Sequence, residues 1–278
     1  MKTLYVSDMD GTLLGADSRV SERSAALISE AVDSGALVTV ATARTPATQG
    51  PLTAACGLRL PAIVMTGAAM WHAGDRRFSD TRYFTAEGCS AALAACRRHG
   101  VHPFVYTMGA DGASLDVYHG ADAMNKAEEN FYLERKHLAF KRFHMRSQVP
   151  DDARANTLIC FAMGERTAVE RAADALRAET DCSVFCYPDI FNTAVANLEV
   201  FAPGVSKAAA IGRLKQRVGA DRLVVFGDNL NDLPMLAVAD VAVAVGNAFP
   251  EVKAAADVVI DPNTTDSVAR FIHDDYRR

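Results

Sequence analysis

Leu4-Tyr5-Val6-Ser7-Asp8-Met9-Asp10-Gly11-Thr12 opens the chain with an apolar run of strand type that stops on two carboxylates and then a glycine. A strand ending this way carries Asp8 and Asp10 at its carboxyl end, where open α/β sheets form their ligand crevice. Gly11 lets the chain turn there. Downstream, a helical pattern over 21–34 sets Leu27, Ile28, Ala31 and Val32 on one face and stops at Gly35, and a second apolar strand follows over 37–41. A helix over 45–56 ends at Gly57, and 61–65 reads as a third strand. Strands apolar on both faces, alternating with helices, belong to a parallel sheet covered on both sides.

The same rhythm returns late in the chain, with a helix over 206–218, strands over 223–226 and 241–245, an edge strand over 258–260 and a closing helix over 265–276 that turns Val268, Phe271 and Ile272 inward. The two stretches predict an α/β fold, a doubly wound, Rossmann-like core with a parallel sheet of about six strands. Between them the pattern changes. Alternating runs over 101–107 and 114–118 flank Gly109-Ala110-Asp111-Gly112 as a hairpin; a helix over 121–137, an irregular basic stretch, a strand over 156–162, a helix over 165–179 and a strand over 183–187 follow. The predicted division is a core domain over 1–82 and 193–278 and an inserted α+β cap over 83–192, which would close over the crevice and select the substrate.

Composition narrows the function classes. A chain of 278 residues, half hydrophobic and 23% charged, is that of a packed globular protein. Its net charge of -5 argues against a nucleic-acid partner, and the absence of a signal-length or membrane-length apolar run predicts a cytoplasmic protein with no membrane association. Six scattered cysteines, without a Cys-x-x-Cys pair, read as reduced core residues. The basic stretch over 135–146, with Phe140, Phe143 and His144 interleaved, reads as a solvated helix surface over core aromatics, and Asn263-Thr264-Thr265 as an ordinary turn.

The chemistry lies in two acidic clusters. Gly227-Asp228-Asn229-Leu230-Asn231-Asp232 follows directly on the apolar strand at 223–226, so it belongs to the same end of the same sheet as Asp8 and Asp10. Oxygen ligands without His or Cys favour magnesium over zinc or copper. A calcium loop is disfavoured, since Gly11 falls at the wrong offset and Arg19 stands where its glutamate would be. Thr42, ending the second strand, offers a hydroxyl, and Lys207, opening a helix, an ammonium group; both suit a dianionic phosphoryl group. Taken singly, Lys207 is an ordinary surface lysine and Asn247 a turn or cap; only the order of the motifs gives Lys207 a role.

Asp8-Met9-Asp10-Gly11-Thr12, Thr42, Lys207 and the 227–232 cluster resemble the four ordered motifs of the haloacid dehalogenase superfamily. Val205-Ser206-Lys207, Val243-Ala244-Val245-Gly246-Asn247-Ala248 and the insert after the third strand look like its Cof-type sugar-phosphatase branch. The resemblance implies Asp8 as nucleophile, Asp10 as acid and base, and Thr42 and Lys207 as catalytic phosphate contacts. It further implies Met9, Gly11, Ala43, Arg44 and Asn231 around phosphate or substrate, and Asp8, Asp10, Asp228 and Asp232 around magnesium. The second motif departs from the branch, reading Thr42-Ala43-Arg44 in place of Thr-Gly-Arg, and Thr66 stands where asparagine is common. Asp10 itself argues against dehalogenation, since the dehalogenases lack that second acid. The expected activity is hydrolysis of a small phosphomonoester, a sugar phosphate or phosphorylated cofactor, through an aspartyl-phosphate. The alternatives are a phosphosugar mutase of the phosphomannomutase type and a non-catalytic phosphate-binding module.

Overall fold

The computed structural model of the chain describes residues 1–189 and 192–277. It divides into two compact units, Met1–Ser79 with Ser206–Arg278, and Asp80–Val205. In chain order the first unit supplies β1 (Thr3–Ser7), α1 (Glu22–Asp33), β2 (Leu37–Val40), α2 (Pro46–Thr53), β3 (Ala62–Val64), β4 (Ala69–His72) and β5 (Arg77–Ser79). The second supplies α3 (Ala86–Arg98), β6 (Phe104–Met108), β7 (Leu115–His119), α4 (Lys126–Arg135), β8 (Lys141–Met145), β9 (Thr157–Glu165), α5 (Arg166–Glu179), β10 (Ser183–Pro188) and β11 (Val195–Phe201). The chain then returns to the first unit with α6 (Lys207–Val218), β12 (Arg222–Gly227), α7 (Leu233–Leu236), β13 (Val241–Ala244), α8 (Pro250–Ala255), β14 (Val258–Val259) and α9 (Ser267–Tyr276).

The first unit is built on a parallel sheet in the order β14-β13-β12-β1-β2. Its central strand, β1, buries Leu4, Tyr5 and Val6 completely or nearly so, as a strand apolar on both faces requires. Ser7 lies opposite both Phe226 and Val40, so Asp8, Gly227 and Ala41 come side by side at one end of the sheet. That register brings three distant motifs to one edge. The third predicted strand does not extend this ladder. β3 meets it only at the bridge between Ala41 and Ile63 and pairs antiparallel with β4 in a separate sheet, β3-β4-β5. The cause is local: Met65, Thr66 and Gly67 all adopt positive φ, at 49°, 55° and 96°, and fold the chain back on itself. The parallel sheet therefore has five strands rather than about six.

Helix α1 turns Ala25, Ile28, Ala31 and Val32 inward and is capped by Ser21, whose hydroxyl accepts a hydrogen bond from the Ser24 N–H at 2.9 Å while donating to Asp266. Ser21→Ala is expected to lower stability by about 1 kcal/mol, the usual value of an N-cap, and calorimetry should show it as a melting temperature lower by a few degrees.

The second unit carries a six-stranded sheet in the order β10-β11-β9-β6-β7-β8, antiparallel except for the parallel pair β7 and β8. Helices α3 and α5 pack against each other. Two stretches differ from the sequence reading. The basic segment contains β8, in which Lys141 and Phe143 alternate with Arg142 and His144. β11 runs between β10 and β9, although its residues fall wholly within the segment 193–278 assigned to the core, where the sequence predicts no strand before 223; Asn197 and Glu199, both buried, give this inner strand a polar look. The six cysteines are free thiols. Among the described residues no helix is long and apolar enough to cross a membrane.

Candidate active site

The hydrogen-bond ladder of β1 continues one residue past the strand, with the Asp8 N–H donating to the Phe226 carbonyl at 3.0 Å, so the position of Asp8 is set by the sheet itself. Beyond it, Met9–Leu13 forms an irregular helical turn that Gly11 makes possible at a φ of 81°. The turn brings the Thr12 hydroxyl to Asp228, to which it donates at 2.5 Å. Gly11 is required for a second reason. A Cβ there would stand 2.4 Å from the Asp228 carboxylate. Gly11→Ala is expected to destabilise the first unit by more than about 1 kcal/mol and to weaken divalent-cation binding, read by thermal unfolding and titration calorimetry.

Asp228 lies just past the end of β12, and Asp232 one turn later. Asp232 is fully buried. One of its oxygens accepts from the backbone N–H groups of Asp228 and Asn229 at 3.1 and 3.2 Å, and the other from the Lys207 ammonium at 2.9 Å. The same ammonium donates to Asp8 at 2.6 Å. Lys207 opens α6 after Ser206, whose hydroxyl caps the helix by accepting from the Ala209 N–H. Gly67 allows this approach, because any Cβ at that position would meet the Ser206 carbonyl at 2.3 Å.

Asp8, Asp228 and Asp232 each bring an oxygen within 4.8 Å of the others'. Burial pushes the Asp8 carboxyl up to about 7; Lys207 opposes the shift, and Asp232, drawing on the same ammonium, adds to it. Burial likewise lifts Asp228 to about 6, against its hydrogen bond from Thr12. Burial works against the Lys207 charge, but Asp8 and Asp232 outweigh it and hold Lys207 above the usual lysine range. Three carboxylates facing one ammonium leave two negative charges, which is what a divalent cation neutralises, and an all-oxygen donor set suits a hard one. The residues fit such an ion.

Other residues singled out in the sequence take varied places. Thr42 is buried, and its hydroxyl accepts from the Arg44 N–H at 3.1 Å. Ala43 and Asn231 are exposed, whereas the side chain of Met9 is fully buried, so only its backbone can reach a ligand. The Asp10 carboxylate is not one of the three grouped with one another; Arg44 grips both its oxygens at 2.8 and 2.6 Å. These bonds push the Arg44 guanidinium further up. Two asparagines also hold the turn that follows Asp8. Asn247 donates to the Gly11 carbonyl at 2.8 Å and accepts from the Asn263 N–H, and Asn263 donates to the Leu14 carbonyl at 2.7 Å. Asn263 carried no local signal in the sequence, because its partner is 249 positions away.

The sequence profile of the haloacid dehalogenase-like hydrolases matches residues 5–272. The 5-amino-6-(5-phospho-D-ribitylamino)uracil phosphatase YcsE of Bacillus subtilis is 27% identical over 273 residues, covering 97% of this chain and 94% of its own. The pyridoxal phosphate phosphatase YbhA of Escherichia coli is 24% identical over 268 residues, covering 96% of each chain. A haloacid dehalogenase-like hydrolase from Bacteroides thetaiotaomicron, 20% identical, shares the fold with a TM-score of 0.78 over 99% of both chains. Ordered motifs, sheet register and profile agree, and the chain belongs to the haloacid dehalogenase-like hydrolases, in their Cof-type branch.

Proposed function

We propose that this enzyme is a magnesium-dependent phosphatase that hydrolyses a small phosphomonoester through an aspartyl-phosphate at Asp8. The observation that carries the reading is the buried Asp8 carboxylate, paired with Lys207 at 2.6 Å and grouped with Asp228 and Asp232 at one end of a parallel sheet. The names of its full-length relatives support the substrate class: one acts on a ribityl phosphate and the other on pyridoxal phosphate. A sugar phosphate or phosphorylated cofactor is the corresponding substrate here.

Magnesium, held by Asp8, Asp228 and Asp232 with the Asp10 backbone carbonyl, would neutralise charge on the phosphoryl oxygens. Lys207 and Thr42 are the side chains assigned to hold the phosphoryl group, with backbone from Met9, Gly11 and Ala43 beside it. An Asp8 oxygen attacks phosphorus while the bond from phosphorus to the ester oxygen breaks. The departing oxygen keeps the electron pair and takes a proton from Asp10. Water then attacks the phosphorus and gives its proton to Asp10, the bond to Asp8 breaks, and phosphate leaves with the Asp8 carboxylate restored. The unit over 80–205 is assigned to selecting the leaving group.

A panel of phosphomonoesters, assayed with and without magnesium for both free phosphate and isomerised product, tests this. Metal-dependent release of phosphate is expected. Isomer without free phosphate would make the protein a mutase, and binding without turnover would make it a binding module.

A further inference from the structure

The Asp10 carboxylate is 54% exposed, and among the described residues its hydrogen bonds come from Arg44, whose side chain is 27% exposed. General acid and base catalysis needs that carboxyl group in one orientation twice, first to give a proton to the leaving oxygen and then to take one from water. A carboxylate half in solvent has no such orientation unless something supplies it. Arg44 does so with the planar fork that matches a carboxylate edge to edge. Each Asp10 oxygen has two lone pairs, and the fork occupies one on each, so the others remain for water or leaving group.

Arg44 is itself fixed by unusual backbone. Its N–H donates to the Thr42 hydroxyl at 3.1 Å, and its carbonyl accepts from the Met65 N–H at 3.0 Å; the Thr66 N–H donates to the Thr42 carbonyl at 3.0 Å. Met65 and Thr66 make these bonds from left-handed conformations, at φ of 49° and 55°, a region that a β-branched threonine rarely enters. Strain of this kind persists where the surroundings over-determine it and collects at functional sites. Here it falls on the turn that anchors the residue gripping Asp10.

We infer that Arg44 is the positioning residue of the acid and base Asp10, acting on proton transfer rather than by holding the phosphoryl group; the inference rests on the role given to Asp10 above. The two possibilities differ in how they depend on the leaving group. A p-nitrophenolate departs without a proton, whereas a primary alkoxide needs one, so lost orientation of Asp10 penalises alkyl esters selectively. A lost phosphate contact penalises both esters alike.

The test compares kcat/KM for p-nitrophenyl phosphate and for an unactivated primary alkyl phosphate in the full-length protein with magnesium. Wild type, Arg44→Met, Arg44→Lys, Asp10→Asn and the Arg44→Met/Asp10→Asn double variant are assayed. Arg44→Met should lower the alkyl-to-aryl ratio about 10- to 100-fold, within the usual reach of general acid catalysis. Arg44→Lys, which keeps the charge without the fork, should lower it in the same direction and serves if the methionine variant does not fold. The double variant should be no more selective than Asp10→Asn alone, because both changes remove one function. Equal losses on the two esters, or an additive double variant, would overturn the inference alone. A wild-type protein that releases phosphate from neither ester overturns the phosphatase reading and this inference with it.

Discussion

Asp8→Asn is expected to reduce phosphate release by at least about 10³-fold while leaving the protein folded and, without metal, more stable than wild type. The amide keeps the volume of the side chain but is a poor nucleophile. The gain in stability follows from charge. Burial lifts the Asp8 carboxyl up to about 7, so the ionised form is disfavoured where it stands, and an uncharged isostere removes that penalty. Lys207 keeps Asp232 as a partner at 2.9 Å and is not stranded. Phosphate release and thermal unfolding at pH 8 measure both halves of the expectation. Turnover within tenfold of wild type would remove Asp8 from the mechanism.

Lys207→Met should act in the opposite direction on stability. It deletes the ammonium shared by Asp8 and Asp232 and leaves two buried carboxylates with no counter-charge, a loss of about 3–5 kcal/mol together with the loss of turnover. The pH dependence has a definite sign. A carboxyl whose folded pKa lies above its unfolded value contributes stability at low pH and loses it as pH rises through the folded pKa. For the wild type without metal, Asp8, at about 7, and Asp228, at about 6, therefore lower stability as pH rises from about 4 to 7. Over the same window magnesium meets less competition from protons, so the stabilisation it confers should grow. In the Lys207 variant the deficit should be largest at pH 8 and shrink toward pH 5. Urea unfolding at several pH values, with and without magnesium, reads these differences, and a deficit independent of pH would contradict the account.

The parts of the site that were legible in the sequence are those with a local cause. Asp8 and Asp228 each follow an apolar strand, and Lys207 follows a serine cap, so a strand end or helix start marks each one. What brings them to one level is the placement of β1 between β12 and β2, and the βαβ rhythm implied that placement without specifying the register. The features that escaped had causes outside the local pattern. Left-handed Met65 and Thr66 turned an expected continuation of the parallel sheet into a hairpin, although neither residue type signals such a turn. Cations mixed with aromatics concealed β8, because that composition also suits a solvated helix. Asn263 and the grip of Arg44 on Asp10 depend on partners 249 and 34 positions away, beyond the reach of any periodicity.

The position of β1 also bears on how the protein is made. Its two neighbours are β2, encoded soon after it, and β12, whose Arg222 pairs with Thr3 only once the whole intervening stretch has been synthesised. Until then a nascent chain carries one unsatisfied edge of a strand whose Leu4, Tyr5 and Val6 are buried in the folded protein, the kind of edge that recruits other chains. The six strands over 104–201 have no such wait, since all their partners lie within one continuous segment. An emerging polypeptide can thus complete its insert while β1 is still open on one side. Asp8, borne at the tip of that strand, is translated long before the β12 segment that completes its surroundings, and a ribosome stalled before residue 222 would display it without a site.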